Sequence, residues 1–356
     1  MWYDVKVPSN YYSNNKFITK NQNKQGILHI TILKFNSLTD FNDRKNMSLL
    51  EYYFANFRQY LILIKEPFNY PIAFRNFFYV FINKIKKNYP IRCVLKNGST
   101  VIVQNHLQLR KIKFGRGTCF FENDLILIKS PNFPTLKIQD WEKNGDIHAV
   151  FFLEDYSFLP LKNKTVIDIG ANIGDTPLYF ISRGAKKVIG IEPSQKNFES
   201  AKKNIILNNL SDKIDLILGG CASKGGIVKM DPNVGGLEVS LNKESKSSNQ
   251  IQLITLKEIL ENEDKNSEYV LKIDCEGCEY DIILATPENI IKRFSHIQIE
   301  YHFGYLDIKK RLEKYGFEVT HTSPRRANRI GTINTLVGFL YAKNKSLWIN
   351  QNLLKK

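Results

Sequence analysis

The chain has 356 residues, 43% of them hydrophobic and 24% charged, the balance of a folded globular protein with room for two domains or one large domain with an appendage. No stretch reaches the roughly 18 apolar residues that a membrane span needs, and the opening residues lack an apolar signal core, so a cytoplasmic protein is expected. The formal charge of +16 is uneven: residues 1–150 carry 22 Lys+Arg against 10 Asp+Glu, and residues 151–356 carry 29 against 25. The basic excess in the N-terminal part suits either an anionic partner or a solvated face of a Lys/Asn/Ile-rich chain.

The five cysteines, Cys93, Cys119, Cys221, Cys275 and Cys278, are an odd, scattered set, unlike a secreted disulfide framework. Cys275-x-x-Cys278 lacks a second pair at ligand spacing, so no metal site is expected there, while oxidation of the pair to a disulfide stays open.

In chain order, residues 1–45 are polar apart from Ile27–Leu33, which fits no element firmly. Met47, Leu49, Leu50, Tyr53, Phe54, Phe57 and Tyr60 give an amphipathic helix over 46–66. An aromatic-rich helix with a lysine tail is expected over 72–87. Its apolar stripe is read first as a face packed on the next domain and second as peripheral membrane contact. Ile91–Leu95 and Thr100–Val103 flank Lys96-Asn-Gly-Ser99, a hairpin signal. Strand-like pieces follow at 118–121, 125–128 and 134–138, and this small antiparallel region is expected to end near Asp146–Phe152.

From Thr165 strands and helices alternate: strands at 165–169, 187–192, 214–218, 269–274 and 296–300, then two final strands, 317–320 and 335–341, joined as an antiparallel return. A hairpin-like insertion is expected over 226–241. Such alternation gives a mainly parallel sheet with helices on both faces and ligands at the strands' carboxyl ends. The expected organisation is a basic, mainly helical extension (1–89), a small antiparallel β cap (90–148), an α/β domain (149–343) and a tail (344–356).

The chemistry concentrates in three stretches. Asp168-Ile-Gly170-Ala-Asn172-Ile-Gly174-Asp175 follows a β-branched run as a glycine turn entering a helix. Its Gly-x-x-x-Gly spacing lacks the Gly-x-Gly-x-x-Gly that seats a pyrophosphate, and Asp175 at the helix start repels a diphosphate. An NAD(P)-dependent reductase is therefore the weaker reading. Glu192 closes the second strand, where an acid can accept hydrogen bonds from both ribose hydroxyls. Lys272-Ile-Asp274-Cys275-Glu276-Gly277-Cys278-Glu279-Tyr280 crowds three acids around a glycine, which need a cation, a ligand or Lys272 to compensate them.

These three stretches, with Asn204 and Asn208 between them, resemble the FkbM-type family of S-adenosylmethionine-dependent methyltransferases over about Val150–Tyr341. The resemblance implies a Rossmann-like class I methyltransferase sheet, mostly parallel with the last strand antiparallel, preceded here by a helical and small β-hairpin extension. It implies S-adenosylmethionine as cofactor, with Asp168, Gly170, Asn172, Gly174, Asp175, Glu192, Cys221, Ala222 and Asp274 expected around it. It further implies O-methylation of a sugar, glycan or other small hydroxyl-bearing molecule, without fixing the acceptor or the base. His302, which titrates near neutrality, is the first expectation for a general base, with Glu300 and Glu276 next. Arg325, Arg326 and Arg329 in the turn before the last strand suit an anionic acceptor. A nucleic-acid methyltransferase or nucleic-acid-binding protein using the basic N-terminal part is the alternative, though no recognised DNA or RNA module is present.

Overall fold

The computed structural model describes Glu51, Phe54 and residues 68–346, except 116, 131, 145, 230–249, 265–266 and 328–334. The expectations at Ile27–Leu33, for most of the 46–66 helix and at Arg329 lie outside the described residues.

Among the described residues the chain opens with two helices, α1 (Asn69–Ala73) and α2 (Phe77–Lys86), where one was expected. The break has a cause in pairing. Phe74 bridges to Leu95, and the Arg75 backbone amide donates to the Val94 carbonyl at 2.7 Å. The stripe expected as a packed face is buried at Ala73, Phe74 and Val80, with Tyr70 ahead of it, and exposed at Phe77, Phe78, Tyr79 and Ile85.

Strands β1 (Ile91–Val94) and β2 (Thr100–Val103) form the expected hairpin around Asn97-Gly98. A helix the sequence reading did not find, α3 (His106–Gly115), follows it. Asn105 caps α3 by accepting from the Gln108 amide at 2.9 Å, and Leu109 and Ile112 bury one face. Strands β3 (Cys119–Glu122), β4 (Leu125–Ser130) and β5 (Phe133–Ile138) make a three-stranded antiparallel sheet, followed by a short helix α4 (Trp141–Asn144). Residues His148–Phe152 then turn as a wide helical segment rather than a strand end, with Ile147 and Val150 buried three residues apart.

The α/β part has β6 (Thr165–Ile169), α5 (Asp175–Ser182), β7 (Lys187–Glu192), α6 (Gln195–Leu207) and β8 (Ile214–Leu218). Next come β9 (Gly220–Cys221), β10 (Gly226–Lys229), β11 (Gln250–Ile254), α7 (Leu256–Glu261), β12 (Tyr269–Ile273), α8 (Cys278–Ala285) and α9 (Glu288–Ile291). The chain finishes with β13 (Phe294–Tyr301), α10 (Leu306–Lys314), β14 (Phe317–His321), β15 (Arg325–Ala327) and β16 (Thr335–Asn344). Of the insertion expected over 226–241 only its start is described: β10 pairs antiparallel with β11, and residues 230–249 lie outside the described residues.

The main sheet runs β14-β16-β13-β12-β6-β7-β8, with β15 added on β16. Strands β6, β7, β8, β12 and β13 are parallel, and β16 is antiparallel to both β13 and β14. This is the Rossmann-like sheet the resemblance implies, mostly parallel, with the reversed strand inserted before the edge. Every residue of β6 and β12 is buried, as expected of central parallel strands covered on both faces. One core, from Tyr70 through Val150 to Val188 and Val270, joins the N-terminal hairpins to one face of the sheet. A second, with Ile167, Leu271, Ile282 and Leu312, fills the other. No helix among the described residues is long and apolar enough to cross a membrane.

The chain runs outward from β6 to β7 and β8, then returns to β12 on β6's other side. That reversal opens a crevice at the carboxyl ends of β6 and β12, where open α/β sheets bind ligands.

Candidate active site

Four strand ends deliver the chemistry to this crevice: Asp168 to Asp175 from β6, Glu192 from β7, Asp274 to Glu279 from β12, and Glu300 and His302 from β13. Asp168 and Lys272 are cross-strand partners in the β6–β12 register, so their side chains share one face. Lys272 Nζ lies 3.0 Å from Asp168 Oδ1, and both side chains are buried. Thr176 Oγ1 donates to Asp168 Oδ2 at 2.5 Å, and Lys272 donates to the Gly170 carbonyl at 2.6 Å. Burial works against the Lys272 ammonium, but Asp168 and Asp274 outweigh it and hold it charged above the ordinary lysine range. Asp168, expected to accept from a ligand amine or from loop amides, is held by Lys272 and Thr176 directly beneath the glycine turn.

The turn itself needs its glycines. Gly170 has φ +86°, and a Cβ there would lie 1.9 Å from the Asp274 carbonyl oxygen. Gly174, also at φ +86°, lies against Ala201 of α6. Asn204 on α6 completes the support by donating to the Ile173 carbonyl at 2.9 Å. Asp175 is buried, with Oδ2 accepting from the Asp146 backbone amide at 3.1 Å, and burial followed by repulsion from Asp146 pushes its pKa up to about 7. Through this bond it ties α5 to the segment leading in from the cap.

Glu192 stands where expected, at the end of β7 and buried. Its Oε2 accepts from the Asn172 amide at 2.8 Å and its Oε1 from the Ser194 amide at 2.9 Å. Burial raises its pKa to about 7, against those amide hydrogen bonds. Carboxylate oxygens accept more than one hydrogen bond, so capacity remains for hydroxyl donors. Beside it the Asn172 side-chain carbonyl oxygen is buried without a hydrogen-bond partner. A buried acceptor facing the turn and a clamped acid suit a ribose and an ammonium, the donor groups of S-adenosylmethionine. Cys221 and Ala222 sit in the β9–β11 pairing, where the Ala222 amide donates to the Ile254 carbonyl at 3.1 Å and burial keeps the Cys221 thiol protonated.

The opposite wall holds the acids. Cys275 and Cys278 are joined by a disulfide, and Glu276 between them has φ +58°. His302 is 1% exposed: Nδ1 donates to Glu279 Oε1 at 3.0 Å, and Nε2 faces Glu276 Oε2 at 3.3 Å and Asp274 Oδ1 at 3.8 Å. Burial opposes its imidazolium, but Glu279, Glu276 and Glu300 outweigh it and push the pKa up to about 10. The carboxylates around His302 thus favour its imidazolium over the neutral ring that a general base needs. Glu300, raised to about 8 by burial and then by Asp274, lies 3.5 Å from the Arg325 guanidinium. Of the three arginines in the final turn, Arg325 is therefore at the site, and Arg326 is placed only by its position in β15.

Sequence reasoning missed two members. Tyr156 donates from its hydroxyl to Asp274 Oδ2 at 3.3 Å, from a stretch with no motif. Asp281 accepts from Ser223 through both its carboxylate oxygens, at 2.7 and 2.8 Å, and so ties α8 to the turn after β9.

Residues 168–319, the span that holds every group of this crevice from Asp168 to His302, match the family model described as Methyltransferase FkbM domain. The chain is 40% identical over 60 residues to the ribosomal protein L11 methyltransferase of Colwellia psychrerythraea, covering 17% of this chain and 20% of that protein. It is 38% identical over 61 residues to uncharacterized protein 158B of Sulfolobus islandicus rod-shaped virus 1, covering 17% of this chain and 39% of that one. The chain thus spans only about a fifth to two fifths of these relatives. A solved structure of methyltransferase FkbM from Methylobacillus flagellatus is similar at 15% identity and TM-score 0.38, covering 55% of this chain and 47% of the other. Residues 168–319 of the chain thus match a methyltransferase FkbM domain, with S-adenosylmethionine as its cofactor.

Proposed function

We propose that the protein transfers a methyl group from S-adenosylmethionine to a hydroxyl of a sugar, glycan or other small metabolite. One observation carries this reading: a glycine turn, a clamped Glu192 and an acid–histidine wall converge on a single sheet crevice. Bound there, S-adenosylmethionine supplies an electrophilic methyl carbon with a sulfonium leaving group. Glu192 and the Gly170–Gly174 turn hold its ribose and amino-acid ends, with Asn172 Oδ1 as an acceptor. The acceptor molecule enters from the β12–β13 side, where its alignment is the main source of rate.

Its hydroxyl proton goes to the ionised form of Glu300, at the end of β13 beside Arg325, so the rate should rise with pH towards and above about 8. Half-exposed Arg325 also suits an anionic substituent on the acceptor. Incubation with methyl-labelled S-adenosylmethionine and separate glycan, small-molecule, protein and nucleic-acid fractions tests the reading. Label in the glycan or small-molecule fraction, lost in Glu300→Gln with donor binding retained, supports it. Label confined to protein or nucleic acid overturns it.

A further inference from the structure

We propose that Asp274, Glu276 and His302 together bind a divalent metal ion at the acceptor side of the crevice. One oxygen from each carboxylate and one ring nitrogen of His302 lie within 4.8 Å of one another. Nε2 is 3.3 Å from Glu276 Oε2 and 3.8 Å from Asp274 Oδ1. Neighbouring ligands on a six-coordinate ion with bonds of 2.0–2.1 Å are about 3.0 Å apart, so small side-chain adjustments bring all three into one coordination sphere.

The acids alone would not make a site; the histidine supplies the independent observation. His302 is 1% exposed, and its Nε2 is buried, aimed between the two carboxylates and outside hydrogen-bonding geometry with either. The other ring nitrogen is fixed. Glu279, fully buried, accepts from His302 Nδ1 at 3.0 Å and from the His302 backbone amide at 3.1 Å, while its second oxygen accepts from the Gly277 amide at 2.8 Å. A carboxylate holding Nδ1–H fixes the ring and aims Nε2 at the acids, so that an ion binding there displaces the Nε2 proton and takes over the charge compensation, with the outer-shell arrangement that supports metal-bound histidines.

The carboxylates are positioned as deliberately. Tyr156 donates to Asp274 Oδ2, leaving Oδ1 toward His302. Glu276 sits at φ +58°, a conformation L side chains rarely adopt, in the turn closed by the Cys275–Cys278 disulfide. That turn brings its carboxylate against Nε2.

Two carboxylates and one imidazole form a hard-to-borderline donor set, suited to Mn²⁺ or Zn²⁺. Three protein ligands leave coordination positions open, as in catalytic rather than structural metal sites. On the methyl-transfer reading an open position takes the acceptor hydroxyl, which the ion orients and acidifies, so that its proton leaves for Glu300. The role of the ion rests on that reading; its binding does not.

The test uses the full chain, stripped with a chelator and dialysed, titrated with Mn²⁺ by calorimetry and by loss of the free Mn²⁺ electron-spin signal, with Zn²⁺ in a parallel titration. One ion per chain is expected. His302→Ala, Glu276→Gln and Glu279→Gln should each bind it about 10- to 100-fold more weakly. Glu261→Gln, on the exposed side of α7, should not change it. Circular dichroism identifies the variants that fold, and Glu276→Gln, in a half-buried turn, serves if His302→Ala does not. No saturable binding of either ion below about 1 mM, or unchanged affinity in the folded variants, would overturn the proposal. S-adenosylmethionine binding is measured on the same metal-free protein: donor binding without metal binding defeats only the metal site, and metal binding without donor binding leaves that site standing while defeating the methyl-transfer reading.

Discussion

Replacing Lys272 with methionine removes the cation that compensates Asp168 while keeping most of the side chain's volume. Both side chains are buried, at 1% and 0% exposure, so no water replaces the lost ammonium. Leaving one member of a buried ion pair alone costs about 3–5 kcal/mol. For a domain of this size that corresponds to a melting temperature lower by roughly 6–20 °C. Lys272 also holds the Gly170 carbonyl, so the glycine turn loses its anchor and S-adenosylmethionine affinity should fall with stability. The assay is a double-mutant cycle: urea unfolding of wild type, Lys272→Met, Asp168→Asn and the double variant. Asparagine still accepts from Thr176, so the double variant should recover about 2–3 kcal/mol relative to the sum of the singles. A loss below about 1 kcal/mol in Lys272→Met, or a cycle with no coupling, would refute the reasoning that this pair holds the turn.

Gly170→Ala should be far more damaging than Gly174→Ala, because its Cβ meets a backbone carbonyl at 1.9 Å whereas the other meets the α6 backbone at 3.1 Å. Thermal melts of the two variants compare them directly, and equal losses would contradict the packing described. Asp175 is held protonated by burial up to about pH 7, whereas the unfolded chain releases that proton near 3.8. The native state therefore binds the extra proton between those values, and its contribution to stability is lost as pH rises from about 4 to about 7. Asp175→Asn should match wild type near pH 4 and exceed it at pH 8 by on the order of a few kcal/mol, read from unfolding curves at both values. A variant less stable than wild type at pH 8 would show that the Asp146 amide needs the charge.

The parallel strands were legible because β-branched runs such as Thr165–Ile169 and Lys187–Glu192 end in glycine turns or acids, and that local pattern survives folding. Glu192 was legible for the same reason: a strand-end acid goes where its strand goes. The Asp168–Lys272 pairing was not legible, because Lys272 lies far along the chain and meets Asp168 only through the β6–β12 register. The acid cluster at 274–279 was legible, but its meeting with His302 comes through the β12–β13 pairing, which no spacing in the sequence reveals. Helix α3 escaped notice because only Leu109 and Ile112 mark its face within a polar stretch. The Asp146–Phe152 segment reads as a strand in isolation and turns helical where Ile147 and Val150 enter the core shared with the sheet.

The most direct measurement of the central claim is calorimetric titration of S-adenosylmethionine into wild type and Glu192→Gln, with NADP⁺ titrated in parallel. Glu192 accepts from the Asn172 and Ser194 amides with both of its oxygens, and glutamine can keep only one such acceptor. The expected result is one donor molecule bound per wild-type chain, about tenfold or weaker binding in the folded variant, and no heat from NADP⁺. Binding of NADP⁺ in place of S-adenosylmethionine, or equal donor affinity in both proteins, would contradict the account.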